Sequence, residues 1–168
     1  MGIACRRSHH PDQETPKAMT ATPPAPVPTP AVPALFTTAA AARDHAHAPY
    51  SRFLVGAAIR TPDGAVFAGG NVENAAYPQG QCAEASAIGA MVAAGARRIA
   101  EIVVIGAPAD PAADASGLCT PCGGCRQRLR EFSAPDTLIH VAGPEGVRAT
   151  FTMDQLLPFS FGPDNLSF

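Results

Sequence analysis

The chain has 168 residues, 46% of them hydrophobic, and a formal net charge of −2 from twelve basic and fourteen acidic side chains. That length suits one domain plus a tail, and the apolar share is enough for a buried core. Only Lys17 of the basic residues is a lysine, and the arginines are scattered without interleaved aromatics. The balance argues against a nucleic-acid backbone as partner and for a small, nearly neutral substrate. No run of 18 apolar residues occurs, so no membrane span is expected. Arg6 and Arg7 are not followed by an apolar segment, so no secretory signal is expected either. Five cysteines, with C-x-x-C spacing at Cys122 and Cys125, read as metal or redox chemistry in a reducing compartment, and cytoplasm is the expected location.

Residues 1–34 carry eight of the eighteen prolines, including alternating proline from Pro24 to Pro30. Such a stretch supports neither helix nor sheet ladder and reads as a disordered Pro/Ala-rich tail, with Met19 as a second candidate start. The folded domain, 35–168, is expected to open with an alanine-rich helix over 35–47 that stops before Pro49. Arg52–Arg60 is an apolar strand, Pro62-Asp63-Gly64 a turn, and Ala65–Val72 the returning strand of a hairpin. Cys82–Gly95 reads as a helix stopped by Gly95, and Glu101–Ala107 as a buried strand. Gly123–Phe132 is a short basic helix, Thr137–Ala142 a strand, 146–151 a last strand, and 153–157 a short terminal helix. This order predicts an α/β layered domain on a mixed sheet, antiparallel at the hairpin and parallel across the later strand–helix–strand passage.

The chemistry concentrates in Cys82-Ala83-Glu84 and, forty positions after Cys82, Pro121-Cys122-Gly123-Gly124-Cys125. Three thiolates make a strong zinc site and leave a fourth coordination position for water. Cys122 and Cys125, three apart, share one face of a helix start. Cys82 and Glu84, two apart, converge only if Cys82 sits at a helix cap or first turn. Both helix N-termini then meet at the metal, where their dipoles offset the negative thiolates. Glu84 beside an acidified water is suited to carry protons to a ring nitrogen and a leaving amine.

These motifs resemble the small, homotetrameric, zinc-dependent cytidine deaminase family over roughly residues 35–164. Besides the two cysteine elements, Pro49-Tyr50-Ser51-Arg52-Phe53 with Val55-Gly56-Ala57-Ala58 is similar to the family's first-strand entry. Asn71-Val72-Glu73-Asn74-Ala75-Ala76-Tyr77-Pro78 is similar to its ribose-binding segment, and Leu156 to Pro163 to its C-terminal motif. The resemblance implies a three-layer α-β-α sandwich around a mixed sheet of about five strands. It implies one Zn2+ per subunit on Cys82, Cys122 and Cys125, Glu84 as the catalytic group, and hydrolytic deamination of cytidine and deoxycytidine in pyrimidine salvage. It further implies that Asn71 and Glu73 bond the ribose, that Phe53 packs on the nucleoside with Ala83 also in the binding set, and that Tyr77 and Phe161 help close sites across the subunits of a homotetramer. Neither nucleic acid nor membrane is an expected partner.

Many family members carry arginine after the C-A-E glutamate, where this chain has Ala85, and Arg126 is expected to take over charge compensation. Alternative readings follow from the same residues. Cys119 could join the other three in a closed four-thiolate structural site, as in a zinc-stabilised interaction module using the proline-rich tail; otherwise it is a small buried apolar residue. Another aminated heterocycle could be the substrate. His45 and His47 read as a solvated helix end, His140 as a satisfied core residue, and Cys5 as irrelevant.

Overall fold

A computed structural model describes residues 32–166. Of the expected tail over 1–34, residues 1–31, with Cys5 and Met19, lie outside the described residues. Helix α1 spans Val32–Asp44, so it begins three residues before the expected start at Leu35. Pro33 is compatible with a first helical turn, which needs no N–H there, and Val32, Leu35 and Ala39 form the buried stripe. The helix ends before the histidines. His47 instead forms an isolated bridge with Val72, its N–H donating to Asn71 O at 2.9 Å, which corrects the expectation of a helical end there.

Strands β1 (Phe53–Arg60) and β2 (Val66–Gly70) form the hairpin, in register Ala58↔Ala68. Asn71 and Val72 fall outside β2, because Val72 pairs with Gln81 across the following loop. After α2 (Ala83–Ala93), β3 (Ile99–Pro108) pairs antiparallel with β1. Helix α3 (Gly123–Phe132) crosses to β4 (Ser133–Gly143), which runs parallel to β3, and β5 (Gly146–Thr152) returns antiparallel. A one-turn helix α4, Met153–Leu156, follows with Thr152 and Gln155 in a reciprocal capping box. The five strands stand in the order β2-β1-β3-β4-β5, a mixed sheet as expected.

Period-two alternation assigns the two faces. Ala58, Val103, Ile105 and Ala142 pack with Val32, Leu35 and Ala39 of α1. Ala57, Ile59, Ile102, Val104 and Ile139 pack with Ala87, Ile88 and Met91 of α2 and Leu129 of α3. The result is the three-layer α-β-α arrangement. Among the described residues no helix is long and apolar enough to cross a membrane.

Candidate active site

Both α2 and α3 begin at a cysteine. Cys82 is the N-cap of α2 (φ −74°, ψ 155°) and Cys122 the N-cap of α3 (φ −64°, ψ 164°), while Cys125 lies in the first turn of α3. The extended cap conformation is what lets Cys82 and Glu84, two apart in sequence, face one point. The Sγ atoms of Cys82, Cys122 and Cys125 all lie within 4.8 Å of one another. Three sulfurs at about 2.3 Å from a shared tetrahedral zinc stand roughly 3.8 Å apart, so this donor set fits zinc in both chemistry and spacing.

The thiols differ in environment. The backbone N–H of Cys125 donates to Cys122 and pulls its pKa below the ordinary value, the expected effect of a helix N-terminus on a thiolate. Burial pushes Cys82 up. Burial, with the Glu84 charge behind it, pushes Cys125 up strongly. A site that holds three thiols this close with a carboxylate beside them is costly without a cation to share. Glu84 is 4% exposed, and its Oε2 accepts from Cys125 Sγ at 3.3 Å.

Cys82, Cys122 and Glu84 open onto a cavity of about 380 Å³, whose wall includes Val55, Asn71, Glu73, Tyr77, Ala83, Val104, Cys119 and Thr120. Of the residues read from sequence, the structure therefore brings Asn71, Glu73, Tyr77 and Ala83 to the same cavity as Cys82, Cys122 and Glu84. Asn71 is also a structural residue: its Oδ1 accepts from Val55 N at 2.8 Å and its Nδ2 donates to Phe53 O at 3.0 Å. Glu73 Oε2 accepts from Tyr50 N at 2.9 Å and Ser51 N at 3.2 Å; a hydrogen bond from the Ser51 side chain, ahead of the Tyr50 N–H, holds its pKa below the usual value. These bonds hold both side chains in place.

Two aromatics stand elsewhere. Phe53 borders an adjoining depression with Gly106 and Cys119, and Phe161 lies beside Gln127 near the chain end, 59% exposed. Cys119 is half-buried in the partition between that depression and the main cavity, outside the trio of close sulfurs. The four-thiolate alternative is thus not the arrangement found. Arg126 departs from expectation as well. Its Nε donates to Pro121 O at 2.7 Å, Nη1 to Leu156 O at 3.0 Å and Nη2 to Thr120 Oγ1 at 3.0 Å, with no described hydrogen bond to sulfur. The guanidinium braces the loop entering α3, since the Thr120 hydroxyl and the Pro121 and Leu156 carbonyls are the acceptors within its reach. Val55, Val104 and Thr120 were missed as cavity residues; Val55 and Val104 read from sequence only as strand interior, while Thr120, next to Pro121-Cys122, had adjacency as a signal.

Comparison with known proteins decides the family. A family model described as "Cytidine and deoxycytidylate deaminase zinc-binding region" matches residues 32–141, which include all three clustered cysteines and Glu84. The chain belongs to the cytidine and deoxycytidylate deaminase family. It is 36% identical over 133 residues to the cytidine deaminase of Halalkalibacterium halodurans, covering 79% of this chain and 96% of that protein. It is 38% identical over 123 residues to the cytidine deaminase of Mycobacterium tuberculosis, covering 72% and 82%. Among solved structures, the cytidine deaminase from Burkholderia pseudomallei superposes with a TM-score of 0.68 at 42% identity, covering 76% of this chain and 97% of that one. The zinc-binding deaminase family thus supplies the metal for which the trithiol cluster is built.

Proposed function

We propose that this chain is a zinc-dependent hydrolase converting cytidine and deoxycytidine to uridine and deoxyuridine. One observation carries the reading: three thiols converge at two helix N-termini beside a buried carboxylate that is not itself one of the clustered thiol donors, at the edge of a nucleoside-sized cavity. Cys82, Cys122 and Cys125 would hold the zinc, which would supply a water made acidic enough to give up a proton near neutral pH. Glu84 accepts the proton of that water at a carboxylate oxygen and delivers it to N3 of the pyrimidine as oxygen adds to C4. It then passes the second proton to the 4-amino group, so that the C4–N bond breaks and ammonia leaves. Asn71 and Glu73 orient the sugar, with Glu73 Oε1 accepting from a ribose hydroxyl. Ala83, between a ligand and the acid, shapes the floor on which the base rests.

The exposed aromatics fit the same reading. Phe161 and Phe53 do not line the cavity within one subunit, whereas Tyr77 lines it and is 77% exposed. We assign the chain to a homotetramer in which Phe161 of one copy and Tyr77 of another help close each site, and Phe53 packs toward the nucleoside. The catalytic domain, expected over 35–168, takes in the start of α1 at Val32, and the enzyme works in the cytoplasm.

The test is loss of cytidine ultraviolet absorbance with and without a chelator. Activity is expected to vanish on zinc removal and to return on readdition. Full turnover by metal-free protein would end the proposal.

A further inference from the structure

We propose that Arg130 is a positioning residue for the active site of a neighbouring copy, setting the angle at which the C-terminal aromatic segment leaves the subunit. The proposal rests on the reading above that Phe161 closes a site in a second copy.

The segment after α4 lies along α3 and is fastened to that helix at three points. Arg130 Nε donates to Ser160 Oγ at 3.0 Å, and its Nη2 pairs with Asp164 Oδ2 at 3.2 Å. Gln127 Nε2 donates to Phe161 O at 2.9 Å. Gly162 completes the seat, because a Cβ there would stand 2.8 Å from Arg130 Nη2 and displace the guanidinium.

What this fastening achieves is projection. Phe159 is fully exposed and has φ +53°, a left-handed backbone that aromatic residues rarely adopt. Phe161, two residues on, is also largely exposed. Bare phenylalanines on a strained backbone gain nothing in an isolated subunit, and such strain persists only where neighbouring contacts impose it. An ion pair to an almost fully solvated Asp164 contributes little to stability. Its geometric effect is larger, since it references the segment to α3, the helix that carries Cys122 and Cys125 at its start. The receiving surface in a second copy has matching chemistry. Tyr50 and Tyr77, both exposed, pack edge-to-face at 6.1 Å between centroids beside Glu73 at the cavity mouth, an aromatic rim suited to an inserted ring.

A double-mutant cycle on the zinc-loaded full-length protein tests this, with KM and kcat for cytidine, zinc content and sedimentation measured for each variant. Phe161→Ala is expected to raise KM by roughly tenfold, the loss of one aromatic contact. Arg130→Ala should raise KM by a comparable factor with zinc content unchanged, and the double variant should be no worse than Phe161→Ala. Arg130→Lys, which retains a charge for Asp164 but cannot serve both acceptors, should fall between wild type and Arg130→Ala. Should Arg130→Ala not fold, Ser160→Ala is judged by the same criteria. An unchanged KM in Phe161→Ala overturns the shared-site reading itself. A raised KM there, with wild-type behaviour or zinc loss in Arg130→Ala, or with effects that multiply in the double variant, overturns the role of Arg130 alone.

Discussion

Glu84 and the cysteines divide the work at the site, and substitutions should separate their roles. Glu84→Gln keeps the shape of the side chain and all three sulfurs, so zinc content should stay at one per chain. Turnover should fall by about 10²–10⁴ or more, the usual contribution of a proton carrier; metal analysis beside the absorbance assay reads both. Cys122→Ala removes a donor and should lose metal and activity together. Arg126 offers a finer distinction. Its three donors reach Pro121, Thr120 and Leu156, a span that one ammonium cannot reproduce. Arg126→Lys should therefore release zinc to a chelator faster than wild type; unchanged release would mean that charge alone matters there.

At the level of elements, close approach governs the packing of α2 on the hairpin. A Cβ on Gly69 of β2 would stand 2.4 Å from Ser86 Cβ and 2.6 Å from Ala87 N, the latter a backbone atom that cannot rotate aside. Gly69→Ala is expected to destabilise by about 1–3 kcal/mol, the cost of overpacking, seen as a lower urea midpoint at unchanged m-value. Elements governed by local pattern were legible before the structure. The Gly123–Phe132 helix has the expected bounds, and the Pro62-Asp63-Gly64 turn and the helix stop at Gly95 stand where turn chemistry puts them. The misses have nonlocal causes. Ser133–Asp136 contains a proline and an aspartate and reads as loop, yet it opens β4 through pairing of Ser133 with Ile99. His47 left the helix for a bridge to Val72, a partner 25 positions away. In the site, the cysteines and Glu84 were legible because cap position and spacing are local properties. The bracing by Arg126 and the engagement of Asn71 with the β1 backbone were not, because an arginine or amide has many possible partners and only the fold selects among them.

On the scale of the whole molecule, the interior of the sheet carries a titratable group with consequences for stability. His140 is 1% exposed, with Nδ1 at 2.9 Å from Thr150 Oγ1 and Nε2 at 3.4 Å from Glu101 Oε2, the carboxylate that also accepts from Arg60. Burial pushes its pKa below the ordinary value, and the Glu101 charge opposes this without overcoming it. A depressed folded pKa means that the unfolded chain binds the proton more readily. The contribution to stability is thus complete above the unfolded value near 6.5 and declines as pH falls toward the folded value. Melting temperature should drop between about pH 7 and pH 5, and His140→Gln should flatten that limb.

Cys82 makes no side-chain capping bond to its own helix, and Cys122 meets only the Cys125 N–H of its own. An ion held by Cys82, Cys122 and Cys125 would be the clasp that finishes both helices at once, joining points forty residues apart in the chain. Treated as a cross-link, closure of such a loop removes denatured-state freedom equivalent to about 4 kcal/mol at 25 °C. Amide hydrogen exchange in the opening turns of α2 and α3 should slow together when metal is added, and hasten together when it is withdrawn.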